Sequence, residues 1–385
     1  LVRWMILVLA GSTLVDYFFL GKYRVLLTAN QEGYVVALIQ AAGTIVNMVV
    51  SIFLIYIGAG VLFVKAVATG VYMLRLVLVK IYAKRKYPAL DFYAEPNEGA
   101  LKQKNAALLH QVVGIIVNNT DTTVLTICLG AKSLLEVSVY GIYMMVVNAV
   151  NQLMTSFSNG LTAGFGEVIA KNEEETLKKS YSSYEYMYFV IMFIVIACMG
   201  VLILPFVGVY TINLTDVQYV RPVLGILFTL IVFMQNVRIP GLTIICAAGH
   251  YKETRYQAIL EAVINITVSL GLVWKFGMAG VLLGTVCSYG YRSFEIVFYT
   301  SRHLVKGCAK KSMFRILRNV FTVAILCTVG TYVIPQEITS FTTWFLYAIG
   351  MGLTSVFFVV VINYVVEPDE FMQLRHRVND IIKKE

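Results

Sequence analysis

Long apolar stretches separated by short polar segments run the length of this chain, and they constrain its fold more than any other feature. A hydrocarbon core about 30 Å thick takes roughly 20 apolar residues of α-helix to cross. Eleven stretches meet that need, at about 2–21, 33–55, 57–79, 106–130, 138–162, 183–209, 218–246, 254–274, 277–300, 314–334 and 341–365. Transmembrane β-strands would be about ten residues long and would alternate in polarity, whereas these stretches are longer and apolar all round. Composition agrees. Of 385 residues, 58% are hydrophobic and 14% charged, with a mean hydropathy of +0.75, against roughly 45–50% and about 25% in soluble domains. Too few charges remain to cover a soluble surface, which excludes an ordinary soluble enzyme, a disordered chain and a nucleic-acid binder. The expected fold class is all-α: a polytopic membrane protein of about eleven transmembrane helices.

The net charge of +9 is unevenly distributed. One set of alternate loops holds Lys22 and Arg24, the run from Lys80 to Lys104, Lys171 to Lys179, Lys252 and Arg255, Arg302 to Arg318, and Arg375 to Lys384. The other set holds only Lys132, Arg221 and Lys275. A split of 23 basic residues to 3 places the first set in the cytoplasm by the positive-inside rule, and the C-terminus with it. The start of the first span is then external, which an odd number of further spans upstream would reconcile with a cytoplasmic N-terminus. Leu1 stands where an initiator Met would, and no short signal peptide precedes the first apolar stretch.

An internal repeat points the same way. Residues 29–47, "ANQEGYVVALIQAAGTIVN", correspond to 247–265, "AAGHYKETRYQAILEAVIN", and "GAGVL" at 58–62 corresponds to "MAGVL" at 278–282. Asn47 pairs with Asn265, Gly60 with Gly280 and Gly70 with Gly290, all in the same orientation, so the repeat is parallel. The first three spans therefore match spans seven to nine. Three spans precede the second unit and none the first, so about three N-terminal spans are expected to be missing. The expected organisation is a remnant of an N-terminal lobe (1–80), a cytoplasmic linker (81–105), a six-span C-terminal lobe (106–300), an appended span pair (301–366) and an amphipathic tail (367–385). In the tail, Phe371, Leu374, Val378 and Ile381 share one face, which would rest on the inner membrane surface.

Catalytic motifs of the nucleotide-binding, serine-hydrolase and zinc-peptidase kinds are absent, and the six cysteines form no CxxC pair. No enzyme activity is expected. Polar residues at membrane depth carry the functional information, because each is costly against lipid. Gln111, Asn118 and Asp121 lie on span four within or near "NNTDTT" (Asn118–Thr123), where they either line a cavity or form interhelical hydrogen bonds. Tyr143, Asn148, Asn151 and Gln152 on span five suit sugar binding, through aromatic stacking and amide hydrogen bonds, or ordinary helix packing. Arg238 in "QNVRIPG" and Glu261 on span eight lie at similar depth; Arg238 binds a lipid phosphate, or the two form a structural pair. Lys65 on span three lines a cavity or snorkels. Arg75, Arg292 and Glu295 lie near span ends and read as interfacial anchors. His110 and His250 read as structural or solvated.

"NNTDTTVLTICLG", "VSVYGIYMMV" (Val137–Val146), "GFGEVIAKNEEETL" (Gly164–Leu177) and the stretch from Ala247 to Thr285 together resemble the bacterial polysaccharide flippases. These form the polysaccharide transporter family of the multidrug/oligosaccharidyl-lipid/polysaccharide exporter superfamily. The likeness covers nearly the whole chain and rests on order and spacing. It implies about fourteen spans in two six-helix lobes plus an appended pair. It also implies a role in moving undecaprenyl-diphosphate-linked oligosaccharides across the bacterial cytoplasmic membrane for capsule, O-antigen or related glycans. The family's positively lined cavity maps loosely here, onto Lys65 and Arg238. Expected partners are the lipid-linked oligosaccharide, membrane lipids and other polysaccharide-assembly proteins. No cofactor is expected beyond a coupling cation, H+ or Na+, for which Asp121 or Glu261 is the carrier. A multidrug-type small-molecule antiporter, a lipid II flippase of the same superfamily and a membrane glycan polymerase are the alternatives. The short external loops count against the polymerase.

Overall fold

The structure, a computed structural model, describes residues 10, 14, 21–90, 103–158, 161–335 and 337–373. Most of the expected first span, part of the 81–105 linker and the tail positions Leu374, Val378 and Ile381 lie outside the described residues. Among those described, all regular structure is helical. The α-helices are α1 (Gly21–Ala29), α2 (Gly33–Tyr56), α3 (Val61–Lys86), α4 (Lys104–Cys128), α5 (Ser133–Ser158), α6 (Leu161–Ala170), α7 (Glu174–Tyr210), α8 (Pro222–Val237), α9 (Ile239–Ala247), α10 (Arg255–Phe276), α11 (Met278–His303), α12 (Ala309–Val333) and α13 (Phe341–Val366).

Eight segments of this set are long and apolar enough to cross a membrane, counting α5 with α6 and α8 with α9 as one each. The protein is a multi-pass, all-α membrane protein. Helices α4 and α11 match the expected stretches at 106–130 and 277–300 in place and length, but their polar residues keep them out of the apolar eight.

The chain forms two compact units: residues 1–100 with 159–164, and residues 101–158 with 165–385. In the first, Tyr23 and Leu27 of α1 are buried against Val79 and Ala83 of α3. Lys86 at the end of α3 pairs with Glu32 at 2.6 Å. The order α1–α2–α3 recurs in the second unit as α9–α10–α11: a nine-residue helix, a helix of 24 or 22 residues, a tight turn, and a 26-residue helix. Each turn contains a glycine in the left-handed region, Gly58 at φ +77° and Gly277 at φ +57°, where a side chain would strain the backbone.

Pro240 separates α8 from α9. Its ring cannot donate the amide bond a continuous helix needs there, and Arg238 sits at the break. Helices α10 and α11 approach closely at Gly280 and Gly284, a small-xxx-small pair of the kind that draws membrane helices together. A Cβ on Gly284 would come within 2.7 Å of the Ser269 amide nitrogen, while one on Gly290 would meet nothing within 4 Å. Gly284→Ala is therefore expected to destabilise the protein by about 1–3 kcal/mol through overpacking. Gly290→Ala should leave stability unchanged or slightly raised. Thermal unfolding of the purified protein in detergent distinguishes the two.

Helix α7 has 37 residues. At about 1.5 Å per residue it is roughly 55 Å long, well beyond the hydrocarbon thickness of about 30 Å. Helices α12 and α13 pack along it. Near its Glu174 end lies a buried ionic network that corrects the sequence reading of Arg315 and Arg318 as loop charges. Arg315 is 1% exposed. Its guanidinium donates to Glu185 of α7 at 3.0 Å, to the Ser182 carbonyl at 3.0 Å and to Glu367 at 3.0 Å. Glu185 also accepts from Ser312 at 2.6 Å and Tyr181 at 3.0 Å. Arg318 donates to Glu367 at 2.9 Å and also to Asn363. Lys311 reaches Glu370 at 2.5 Å. Three cations and three carboxylates thus join α7, α12, the end of α13 and the helical turn at 368–373. Burial by itself would raise the Glu370 carboxyl, but hydrogen bonds from Lys311 and Ser182, and the charges of Lys311 and Arg315, hold it below the ordinary carboxylate range.

Candidate functional site

Within the second unit, α4, α8–α11 and the 248–254 loop enclose a cavity of about 430 Å³. Gln111 and Asn118 line it from α4, Gln235 and Arg238 from the α8–α9 break, Glu261 from α10, and Tyr289 and Arg292 from α11. The sequence explains the convergence. Gln111 and Asn118 are seven residues apart on α4, two turns on one face. Tyr289, Arg292 and Ile296 recur at helical spacing on α11. The α8–α9 break turns Arg238 inward beside them.

The charged groups of the cavity are paired. The Arg238 guanidinium donates to Glu261 and lies 4.5 Å from the centre of the Tyr289 ring. The second oxygen of Glu261 faces Arg292 Nε at 3.6 Å, and Arg292 also pairs with Glu295. Arg292 is 3% exposed, which corrects its reading as an interfacial anchor: it lies in the protein interior. Two cations and two carboxylates form one balanced cluster. Arg238 Nε and Glu295 Oε1 are buried without hydrogen-bond partners. Burying such a cluster is tolerable only because each charge has an opposite neighbour.

Asp121 does not line this cavity. It is buried, one helical turn along from Asn118, and it accepts from Thr285 Oγ1 at 2.7 Å and from the Tyr140 hydroxyl at 3.3 Å. Asn265 of α10 completes the group, donating to Thr285 at 3.0 Å and to Ser288 at 3.4 Å, while its carbonyl oxygen has no partner. A carboxylate, a buried amide oxygen and three hydroxyls thus gather in one place, with no cation among their hydrogen-bonding partners.

The other expected site residues are placed as follows. Asn151 donates to Gln235 at 2.9 Å and accepts from Asn236 at 2.9 Å, so it ties α5 to the α8 side of the cavity. Asn148 and Gln152 are exposed on α5 and lie off the cavity wall. Tyr143 is fully buried. Its ring stacks on Phe228 at 5.0 Å, and its hydroxyl accepts from the Arg221 amide at 3.1 Å and donates to the Tyr219 carbonyl at 3.0 Å. Both ring and hydroxyl are therefore engaged in fixing the start of α8. Lys65 is exposed on α3, in the other unit. His110, read as structural or solvated, contacts the Tyr251 carbonyl at 3.0 Å and Thr254 at 3.3 Å, which ties the start of α4 to the 248–254 loop.

Sequence reasoning missed Gln235, Tyr289, Asn265 and Thr285 as site members. The polar periodicity of α11 was the available signal. In the sequence, Asn265 stands out only through its repeat partner Asn47. A groove of about 670 Å³ between α12 and α13 is larger than the cavity, but its walls are almost wholly apolar, as suits a face turned to hydrocarbon. Neither known family models nor curated proteins match this chain.

Proposed function

We propose that this protein is a flippase that moves undecaprenyl-diphosphate-linked oligosaccharides across the bacterial cytoplasmic membrane by alternating access. The observation that carries the reading is the cavity itself, a polar chamber holding Arg238 and Arg292 inside a membrane-embedded helical unit. A hydrated sugar cannot cross hydrocarbon, because each unpaired hydroxyl costs several kcal/mol. Amides such as Gln111, Asn118 and Gln235 substitute for water, and guanidinium groups match an anionic diphosphate. The sequence resemblance to polysaccharide flippases supports the same assignment.

In this reading α4 and α11 are also spans, which gives eleven with the stretch at 2–21. Their polar residues do not oppose this: Asp121, Thr285 and Arg292 are buried inside the protein, at 4%, 3% and 3% exposure. The parallel repeat supports a two-lobed organisation, and the 23-to-3 charge split supports a cytoplasmic C-terminus. Asp121, held by Thr285 and Tyr140, with Asn265 and Ser288 beyond Thr285, is the proposed coupling site for H+ or Na+. One carboxylate among neutral oxygens suits a monovalent ion.

The test is a leaflet-sidedness assay. The full-length protein is reconstituted in vesicles with labelled undecaprenyl-diphosphate oligosaccharide under an imposed ion gradient. Labelled lipid should move between leaflets, and Asp121→Asn should abolish the response to the gradient. No change in sidedness with the native protein would overturn the flippase reading.

A further inference from the structure

Two rungs join α4 to α11. On the first, Thr285 Oγ1 donates to Asp121 at 2.7 Å. On the second, the Tyr289 hydroxyl donates to Asn118 at 3.2 Å. Asn118 and Asp121 are three residues apart on α4, and Thr285 and Tyr289 four apart on α11, so each pair lies on one face of its helix. The rungs are one helical turn apart. Beyond the second, the Tyr289 ring supports the Arg238 guanidinium at 4.5 Å, and Arg238 holds Glu261. Arg238 stands at the α8–α9 break, where backbone hydrogen bonding is interrupted and the chain yields more readily than in a continuous helix.

We propose that Tyr289 is a positioning residue that couples the charge state at Asp121 to the placement of Arg238 in the cavity. The inference rests on the reading of Asp121 as an ion site and of the cavity as an anion site. Neutralising Asp121 weakens the charge-assisted hydrogen bonds it accepts from Thr285 and from Tyr140 of α5, and so loosens the hold of α11 on α4 at the first rung. The second rung shares the same two helix faces, so Tyr289 shifts with it. Its ring is the floor on which Arg238 rests, so Arg238 changes its distance from Glu261 and its availability to an anion. A hydroxyl on one rung and a ring face toward the cation are both needed, and Tyr289 supplies both.

A double-mutant cycle tests this whichever ion is coupled. Binding of a short-chain polyprenyl diphosphate is measured on the full chain in detergent, with Asp121→Asn standing for the neutralised site. In the otherwise native protein, Asp121→Asn should change affinity by about 5- to 150-fold, the usual range of coupling between two sites. In the Tyr289→Phe background the same change should shrink to about twofold or less. The readout is the ratio of affinities, which a general structural loss from Tyr289→Phe leaves intact. Asn118→Ala removes the other half of the same hydrogen bond and should give the same result, which covers a failure of Tyr289→Phe to fold. An undiminished ratio in both backgrounds overturns the proposal and leaves the two sites standing. No effect of Asp121→Asn in the native background also overturns it. Absence of diphosphate binding to the native protein instead overturns the cavity reading on which the proposal rests.

Discussion

Replacing Arg315 with methionine should lower stability by about 3–5 kcal/mol, the usual cost of removing one partner from a buried ion pair. Glu185 would remain 2% exposed with only the hydroxyls of Ser312 and Tyr181 to satisfy it. Glu367 would lose its contact with the same guanidinium. Arg315→Lys should recover only part of the loss, because an ammonium cannot reach Glu185, Glu367 and the Ser182 carbonyl with one planar fork. The double substitution Arg315→Met with Glu185→Gln should be milder than Arg315→Met alone, since no unpaired charge is left on α7. Unfolding of the detergent-solubilised protein, followed by intrinsic fluorescence, measures all three. Equal stability of Arg315→Met and the native protein would mean that Glu185 finds water or another cation.

Arg238→Ala should weaken binding of a polyprenyl diphosphate by about 10- to 150-fold. That follows from a charge-assisted hydrogen bond worth about 1.5–3 kcal/mol, at tenfold per 1.4 kcal/mol. Glu261→Gln should act in the opposite sense on binding. It releases Arg238 from its carboxylate, so affinity rises while turnover in the proposed transport falls, because the anion leaves more slowly. Exchanging the two residues, Arg238→Glu with Glu261→Arg, should not restore function. The cation placed at position 261 would face Arg292, and the carboxylate at 238 would face the ring of Tyr289. Calorimetric binding and vesicle transport separate these outcomes. Full recovery by the exchange would show that the pair acts only structurally and that Arg292 is indifferent to it.

The fold class was legible because apolar run length is a direct consequence of bilayer thickness. The eight apolar spans could be read from residues alone, and the stretches at 106–130 and 277–300 fall on α4 and α11. Facing was harder. Position along a span gives depth but not which neighbour a side chain meets, so Arg292 read as an anchor when its guanidinium lies inside the protein against Glu261 and Glu295. Counting basic residues near span ends treats each as solvated. That reasoning placed Arg315 in a loop, because its partner Glu185 lies 130 residues away in sequence and leaves no local pattern. Tyr143 suited sugar binding by residue type, but only the packing shows its ring against Phe228 and its hydroxyl on the chain before α8. For Arg238 and Glu261, equal depth on two spans raised the pairing, and packing brings the two side chains into contact.

The balanced composition of the cavity cluster has an electrical consequence. Arg238, Glu261, Arg292 and Glu295 sum to zero charge, so displacement of the cluster as a body through the membrane field does no net work. An unbalanced unit charge would exchange about 2.3 kcal/mol per 100 mV. Asp121 has no such counter-charge among its hydrogen-bonding partners. Displacement of the intact cluster therefore adds no voltage dependence to the proposed transport cycle, which would come instead from Asp121, from an ion held there, from the charge on the cargo or from a separation of Arg238 from Glu261.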